Sequence, residues 1–304
     1  TVKASGILNN DNENQTFAAE VRTSGTQTWA ATSGDLTFND IRLNSTLTLT
    51  GANDISSAGI FNNWANRKVI NNLTGALSLT AVELTRSTDT GGTIRTLTID
   101  GTGNTTISGV ISDGSAAEGR LTKTGTGTLT LGTAANTYTG KTTLTKGTTV
   151  MGHNDSFSSG VIVFNNGTLD GGSADRSIDN AVLMTNNMTF TGTAGLDFTD
   201  TLTMSNNKTI TVSSTGTNKL NNVVLSDPDE GTPAARQLTI TGNEDLTIAG
   251  IISDGVVVGG GGKLKKSGAG DLTLNGTNTH SGLNTLGGTG TIFVGDNAAF
   301  GIGI

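Results

Sequence analysis

Cysteine is absent from the 304 residues, so no disulfide framework, thiolate nucleophile or thiolate metal site can be built. Proline occurs twice. Both prolines, Pro228 and Pro233, fall within Ser226 to Ala235. That stretch reads as a loop, because proline donates nothing to a sheet ladder. Charged residues make up 14% of the chain, against roughly 25% in ordinary globular proteins. The net charge of −7 is spread without blocks, which excludes an electrostatic footprint for nucleic acid or anionic lipid. Aromatic residues are 4%, so stacking platforms for bases or sugar rings are scarce. No apolar run reaches the ~18 residues of a membrane helix, and strands with aromatic girdles, as a membrane barrel needs, are missing. Neither nucleic-acid binding nor membrane insertion is expected. Thr1 opens directly on strand-like sequence without a basic leader. A signal peptide is therefore expected to have been removed, or the chain to have been cut from something longer.

What the chain does have is glycine, 44 residues of it, and threonine alternating with small apolar residues. Leu121 to Val150 shows the pattern most clearly, as LTKTGTGTLTLGTAANTYTGKTTLTKGTTV. Alternation with period 2 marks strands with one buried face and one wet face. β-Branched threonine stiffens the wet face without needing a core. Gly125, Gly127, Gly132, Gly140 and Gly147 punctuate the runs, as the φ > 0 corners of short strands require. The stretch recurs as Lys263 to Gly295.

The order L-T-K-T-G-T-G-T-L-T-L, then N-T-Y-T-G, then T-T-L-T-K-G-T closely resembles the passenger-associated repeat of bacterial autotransporters. The second copy keeps Leu264, Lys265, Gly268, Gly270, Leu272, Leu274, Asn278 and Gly282, and departs where His280 replaces Tyr138. The two copies cover roughly a fifth of the chain. The resemblance implies a right-handed parallel β-helix exported to the cell surface or beyond it. It carries no catalytic residue and implies no cofactor.

A longer repeat encloses these copies. Ile107 to Gly114 matches Ile248 to Gly255 at an offset of 248 − 107 = 141, and Arg95 to Ile99 matches Arg236 to Ile240 at the same offset. Leu121 and Leu264 differ by 143, through two extra residues in Val256 to Gly262. The expected organisation is one continuous solenoid, 1–304. It divides into a super-repeat at 1–141, a second at 142–282 and a partial third at 283–304. Asn-Asn pairs at 165/166, 186/187 and 206/207 recur about every 21 residues, where asparagine tolerates a left-handed corner and stacked amides can bond one another. That period predicts about 14 coils, an all-β parallel β-helix with almost no α-helix. Ser56 to Val69, around Trp64, reads as a small helix or a bulged coil, and Ser87 to Thr93 and Ser226 to Ala235 read as protruding loops.

Polysaccharide cleavage needs two carboxylates about 5–9 Å apart. The candidates are Asp197 with Asp200, Asp113, Asp254, and the group Asp227, Asp229 and Glu230. Asp113 and Asp254 sit in Ile-Ser-Asp-Gly turns, where an Asp caps its own backbone. Asp197 and Asp200 flank a strand with no basic partner in view. Lys123 and Lys265 read as solvated edge charges at matching positions, which discourage lateral pairing. His153 and His280 stand at non-equivalent places with no cysteine or base beside them. Gly259 to Gly262 carries no phosphate-loop Lys-Ser/Thr pair and reads as a flexible loop. Asn-x-Thr/Ser triplets at Asn44, Asn72, Asn166, Asn187 and Asn207 follow from composition alone. No enzyme is expected, and no metal or cofactor.

The remaining expectation is a structural protein, with a carbohydrate-binding or carbohydrate-cleaving β-helix as the alternative. Val2, Ile7 and Leu8 at one end and Phe300, Ile302 and Ile304 at the other lie in strand-like runs without a polar cap. These six residues are the expected self-assembly interface. Through them copies of the chain would stack head to tail into a filament, since heterologous contacts propagate. The partners expected are the chain itself, and surface polysaccharide or other cells for an adhesive role.

Overall fold

A computed structural model describes residues 6–115, 117–226, 235–255 and 261–302. The chain is all-β, built of short parallel strands stacked coil on coil, with a single 3-10 turn at Asn154–Phe157 among the described residues. It divides into two compact units, Thr1–Gly160 and Val161–Ile304.

In the first unit, one sheet runs through the strands Gly6–Asn9, Gln27–Ala31, Leu47–Gly51, Arg67–Leu73, Ile94–Asp100, Glu118–Lys123 and Thr142–Leu144. In the second, the corresponding path is Ile162–Phe164, Val182–Met184, Leu202–Met204, Val223–Val224 and Ile252–Ser253. Seven and five strands give twelve turns among the described residues, where a uniform period of 21 predicted about 14. Two long coils account for part of the difference, and the rest arises because this sheet ends at Ile252–Ser253 while Lys263–Lys266 and Thr285–Leu286 continue a neighbouring one. Arg67 pairs with Leu97, thirty residues on, and Val223 with Ile252, twenty-nine on. Other coils keep to strides such as Gln27 to Leu47 and Leu121 to Thr142. The first long coil contains the turn at Ser87 to Thr93, as expected. The second contains Ser226 to Ala235, of which 227–234, with Pro228, Pro233, Asp227, Asp229 and Glu230, lie outside the described residues.

The alternation does what its period dictates. Leu36 and Phe38 point inward at 1% and 0% exposure while Thr37 between them faces out. Each Leu or Ile so buried contributes about 2 kcal/mol. Aromatic rings reinforce single layers: Phe38 stacks between Phe17 at 4.9 Å and Trp29 at 4.6 Å, and Phe190 on Phe198 at 5.4 Å. On the outer face of the first unit, Thr16, Thr37, Ser56, Ser78, Thr106 and Thr130 stand in register on six successive strands.

Ser56 to Val69 is no helix. It holds the nine-residue strand Ile55–Asn63 and the start of Arg67–Leu73. The bulged-coil alternative is the correct one, for the register of Ile55–Asn63 against Ala76–Glu83 shifts between Leu79 and Ala81. Trp64 follows that strand, with the Arg42 guanidinium 3.6 Å from its ring centre.

The corners are held by asparagine and aspartate acting on backbone. Asn14 Oδ1 accepts from Asp35 N–H at 2.9 Å, Asp35 from Asp54 at 3.0 Å, and Asp54 from Ala76 at 2.8 Å. In the second unit Asn187 and Asn207 accept from Thr209 and Gln237 at 2.9 and 2.8 Å. The amides thus bond the next coil's backbone where amide-to-amide stacking was expected. Asn166 and Asn206 do adopt the left-handed corner, at φ 71° and 57°.

Candidate functional site

The two copies of the repeat are the most constructed parts of the chain, one in each unit. In the first, Leu121 and Lys123 lie two apart on one strand, so both point inward. Lys123 stands in the core ladder between Ile99 and Leu144 and is 2% exposed. Its ammonium donates to the carbonyl of Gly125 and, at 3.4 Å, to that of Lys146. Burial pushes it down to about 8, against a smaller opposing pull from Asp100. In the second copy the same place belongs to Lys266, also 2% exposed, between Ile240 and Leu286. Its ammonium donates to Ser267 and Gly268 carbonyls at 3.1 and 3.2 Å. Burial lowers this lysine too, offset by Asp271 and Asp245.

This corrects the sequence reading twice. The partner of Lys123 is Lys266 and not Lys265, which faces outward in register with Thr239. Neither Lys123 nor Lys266 is a solvated edge charge; each holds the glycine corner from inside. The glycines there serve that closeness more than backbone freedom. A Cβ on Gly125 or Gly127 would collide with the Gly101 or Gly103 carbonyl of the preceding coil, while Gly147 needs its φ of 69°.

Asn136 and Asn278 are buried staples. Asn136 accepts from Ile111 N–H at 2.7 Å and donates to Ser156 O at 2.7 Å, joining the coil before to the coil after. Asn278 accepts from Ile252 N–H at 2.7 Å and donates to Ala299 O at 2.5 Å. Two residues on, the Tyr138 hydroxyl meets Thr142 Oγ1 at 2.5 Å, and His280 Nε2 meets Asn284 Oδ1 at 2.8 Å. Both rings are fully buried. The aspartates of the Ile-Ser-Asp-Gly turns complete the clasp. Asp113 accepts from Thr139 N–H at 2.9 Å and its hydroxyl at 2.7 Å. Asp254 accepts from the N–H and hydroxyl of Ser281. They lock the following coil, where capping of their own turn was expected. Burial raises the Asp113 carboxyl, with the Thr139 bonds opposing it.

Residues 121–151 and 264–292 match the Passenger-associated-transport-repeat. No curated protein and no solved structure matches the chain. The transport repeat is therefore, in physical terms, a coil-locking clasp. A buried ammonium closes its glycine corner, a buried amide spans three coils, and a ring with a polar tip bonds four residues onward.

The other candidate residues are dispersed. Asp197 faces outward and pairs with Lys219 of the next coil at 3.5 Å, so a basic partner exists where none was expected. Asp200 is exposed and accepts from Thr201 N–H at 2.6 Å. His153 caps the 3-10 turn through Nδ1 and Asp155 N–H at 3.0 Å. Gly259 and Gly260 lie outside the described residues, while Gly262 N–H bonds Asp254 at 2.9 Å. Among the described residues no group of three or more His, Asp or Glu side chains is placed to hold a metal ion, and no helix is long and apolar enough to cross a membrane. Of the expected interface, Val2 and Ile304 lie outside the described residues. Ile7 pairs with Trp29 and is half-buried, Leu8 is 62% exposed, Phe300 is half-buried and Ile302 is 70% exposed.

Proposed function

We propose that the chain is a structural, non-enzymatic β-solenoid displayed on or beyond the bacterial surface, a passenger-like stalk that carries adhesion. The observation that carries this reading is the pair of transport repeats, each built as a coil-locking clasp on a parallel solenoid. Their buried lysines and amides and their turn aspartates bond backbone or neighbouring coils, which is the work of a scaffold. The test is protease and antibody accessibility on intact cells producing the natural gene product. Accessibility before lysis is expected, and detection only after lysis overturns the reading. Asp197→Asn and Asp254→Asn are expected to change no sugar release from polysaccharide. Cleavage that either variant abolishes restores the enzyme alternative.

Within this reading, copies stack head to tail. What supports it is Ile7, which shares the inward row of the fully buried Trp29 and Leu49 and yet is only half-buried, together with the exposure of Ile302. Deleting 300–304 or substituting Leu8→Pro is expected to abolish filaments in negative-stain images while leaving the spectrum of the folded chain intact. An intact chain that sediments as a monomer at high concentration overturns the stacking.

A further inference from the structure

The second unit carries a cavity of about 290 Å³ that the clasps do not use. It crosses four successive coils, lined by the turn at 215–218, then Glu244, Asp245 and Thr247, then Asp271 and Thr273, and finally Phe293. Lys219, Thr247, Thr273 and Phe293 stand in register on adjacent parallel strands. With strands ~4.8 Å apart, the floor is an extended trough about 14 Å long.

Three features of the lining point to one ligand chemistry. The first is an aromatic face. Phe293 is 51% exposed and is the most open of the nine phenylalanines, the rest being buried or half-buried. It lies on an outer row that elsewhere carries serine, threonine or charge. The second is a set of unspent acceptors. Asp245 Oδ1 takes Asp271 N–H at 2.7 Å and Asp271 Oδ1 takes Thr291 N–H at 2.6 Å. Each carboxylate thereby fixes its own orientation by one oxygen and leaves the other unbonded within the protein. Asn218, 2% exposed, lines the cavity as well; its amide donates to the Ser214 and Gly216 carbonyls, and its Oδ1 is buried without a hydrogen-bond partner beneath the lining. The third is sign: three carboxylates line the trough, while the nearest cations are engaged elsewhere, Lys219 with Asp197 and the buried Lys266 with the carbonyls of Ser267 and Gly268.

An apolar ring face beside convergent acceptors suits a pyranose, whose C–H face packs on an aromatic ring while its hydroxyls donate outward. The carboxylates repel uronic or sulfated sugars and attract a protonated amine. We propose that this trough binds a neutral or amino-substituted hexose unit of a surface polysaccharide. The hexose stacks on Phe293 and donates to Asp245, Asp271 and Glu244. The proposal does not rest on head-to-tail stacking, and its assay reads ligand binding by the chain in solution.

The test titrates the whole chain with a chitosan pentamer, cellopentaose and polygalacturonate, followed by calorimetry. The chitosan pentamer or cellopentaose is expected to bind and polygalacturonate to fail. Phe293→Ala should weaken binding about tenfold or more, which corresponds to about 1.4 kcal/mol, and Phe293→Tyr should retain it. Asp271→Asn keeps an oxygen for Thr291 N–H, so the fold stays, yet it should weaken the amino probe more than the neutral one. No binding of either oligosaccharide, binding indifferent to Phe293→Ala and Asp271→Asn, or equal binding of polygalacturonate overturns the proposal.

Discussion

Tyr138 with Thr142 and His280 with Asn284 perform the same act with different atoms. In one copy a long ring reaches a short side chain at 2.5 Å; in the other a shorter ring is met by a longer side chain at 2.8 Å. The sum of reach is kept while both residues change. What the corner requires is therefore a buried ring whose polar tip finds a partner four residues onward, and not a phenol as such. The rest of the clasp, Lys123 and Lys266 with Asn136 and Asn278, is held constant in chemistry and in burial.

The comparison can be broken most severely at the ring. Tyr138→Ala is expected to cost about 4 kcal/mol in chemical denaturation, and His280→Ala less, since a smaller ring leaves a smaller cavity. Equal losses would show that volume does not decide the corner.

Next comes the buried ammonium. Lys123 is held near 8 against an ordinary 10.5, so the unfolded chain binds more protons between those values and stability rises with pH through that window. The gain, up to about 3 kcal/mol, is best read between pH 8 and 10. Above pH 10 the buried Tyr138, raised by burial from its ordinary 10.0, acts in the opposite sense. The rise should shrink in Lys123→Met, and an unchanged slope would show that this ammonium is not desolvated.

Removing a staple is smaller again. Asn136→Ala or Asn278→Ala strands a buried N–H and a buried carbonyl, at about 2 kcal/mol. The finest test is exchange. Tyr138→His alone should destabilise, and adding Thr142→Asn should recover about 1 kcal/mol, read as a coupling energy in a double-mutant cycle. Strict additivity would sever the link between the two copies. A surface change such as Thr130→Ala sets the floor, below about 0.5 kcal/mol.

The fold was legible because period 2, glycine spacing and the offset of 141 all describe stacked strands. The clasp was only half legible. The alternation that places Leu121 inside places Lys123 inside as well, but the cost of an unpaired buried charge favours a solvated lysine when only the sequence is in view. The carbonyls that satisfy it belong to backbone, which no side-chain pattern reveals. Asp113 and Asp254 are recognisable as turn residues, yet their partners Thr139 and Ser281 lie 26 and 27 residues onward. Coil length escapes the pattern because the corner asparagines mark ordinary coils and are silent about Arg67 to Leu97 and Val223 to Ile252.

The corner row of the first unit has one more consequence, an evolutionary one. Asn14, Asp35, Asp54 and Asn104 each offer a single oxygen to the coil above. An amide and a carboxylate supply that oxygen equally well, so Asn and Asp can replace each other there by neutral drift. Every exchange alters surface charge by one unit and leaves the ladder untouched. Chains sharing this scaffold are thus free to diverge in surface charge at little cost to folding.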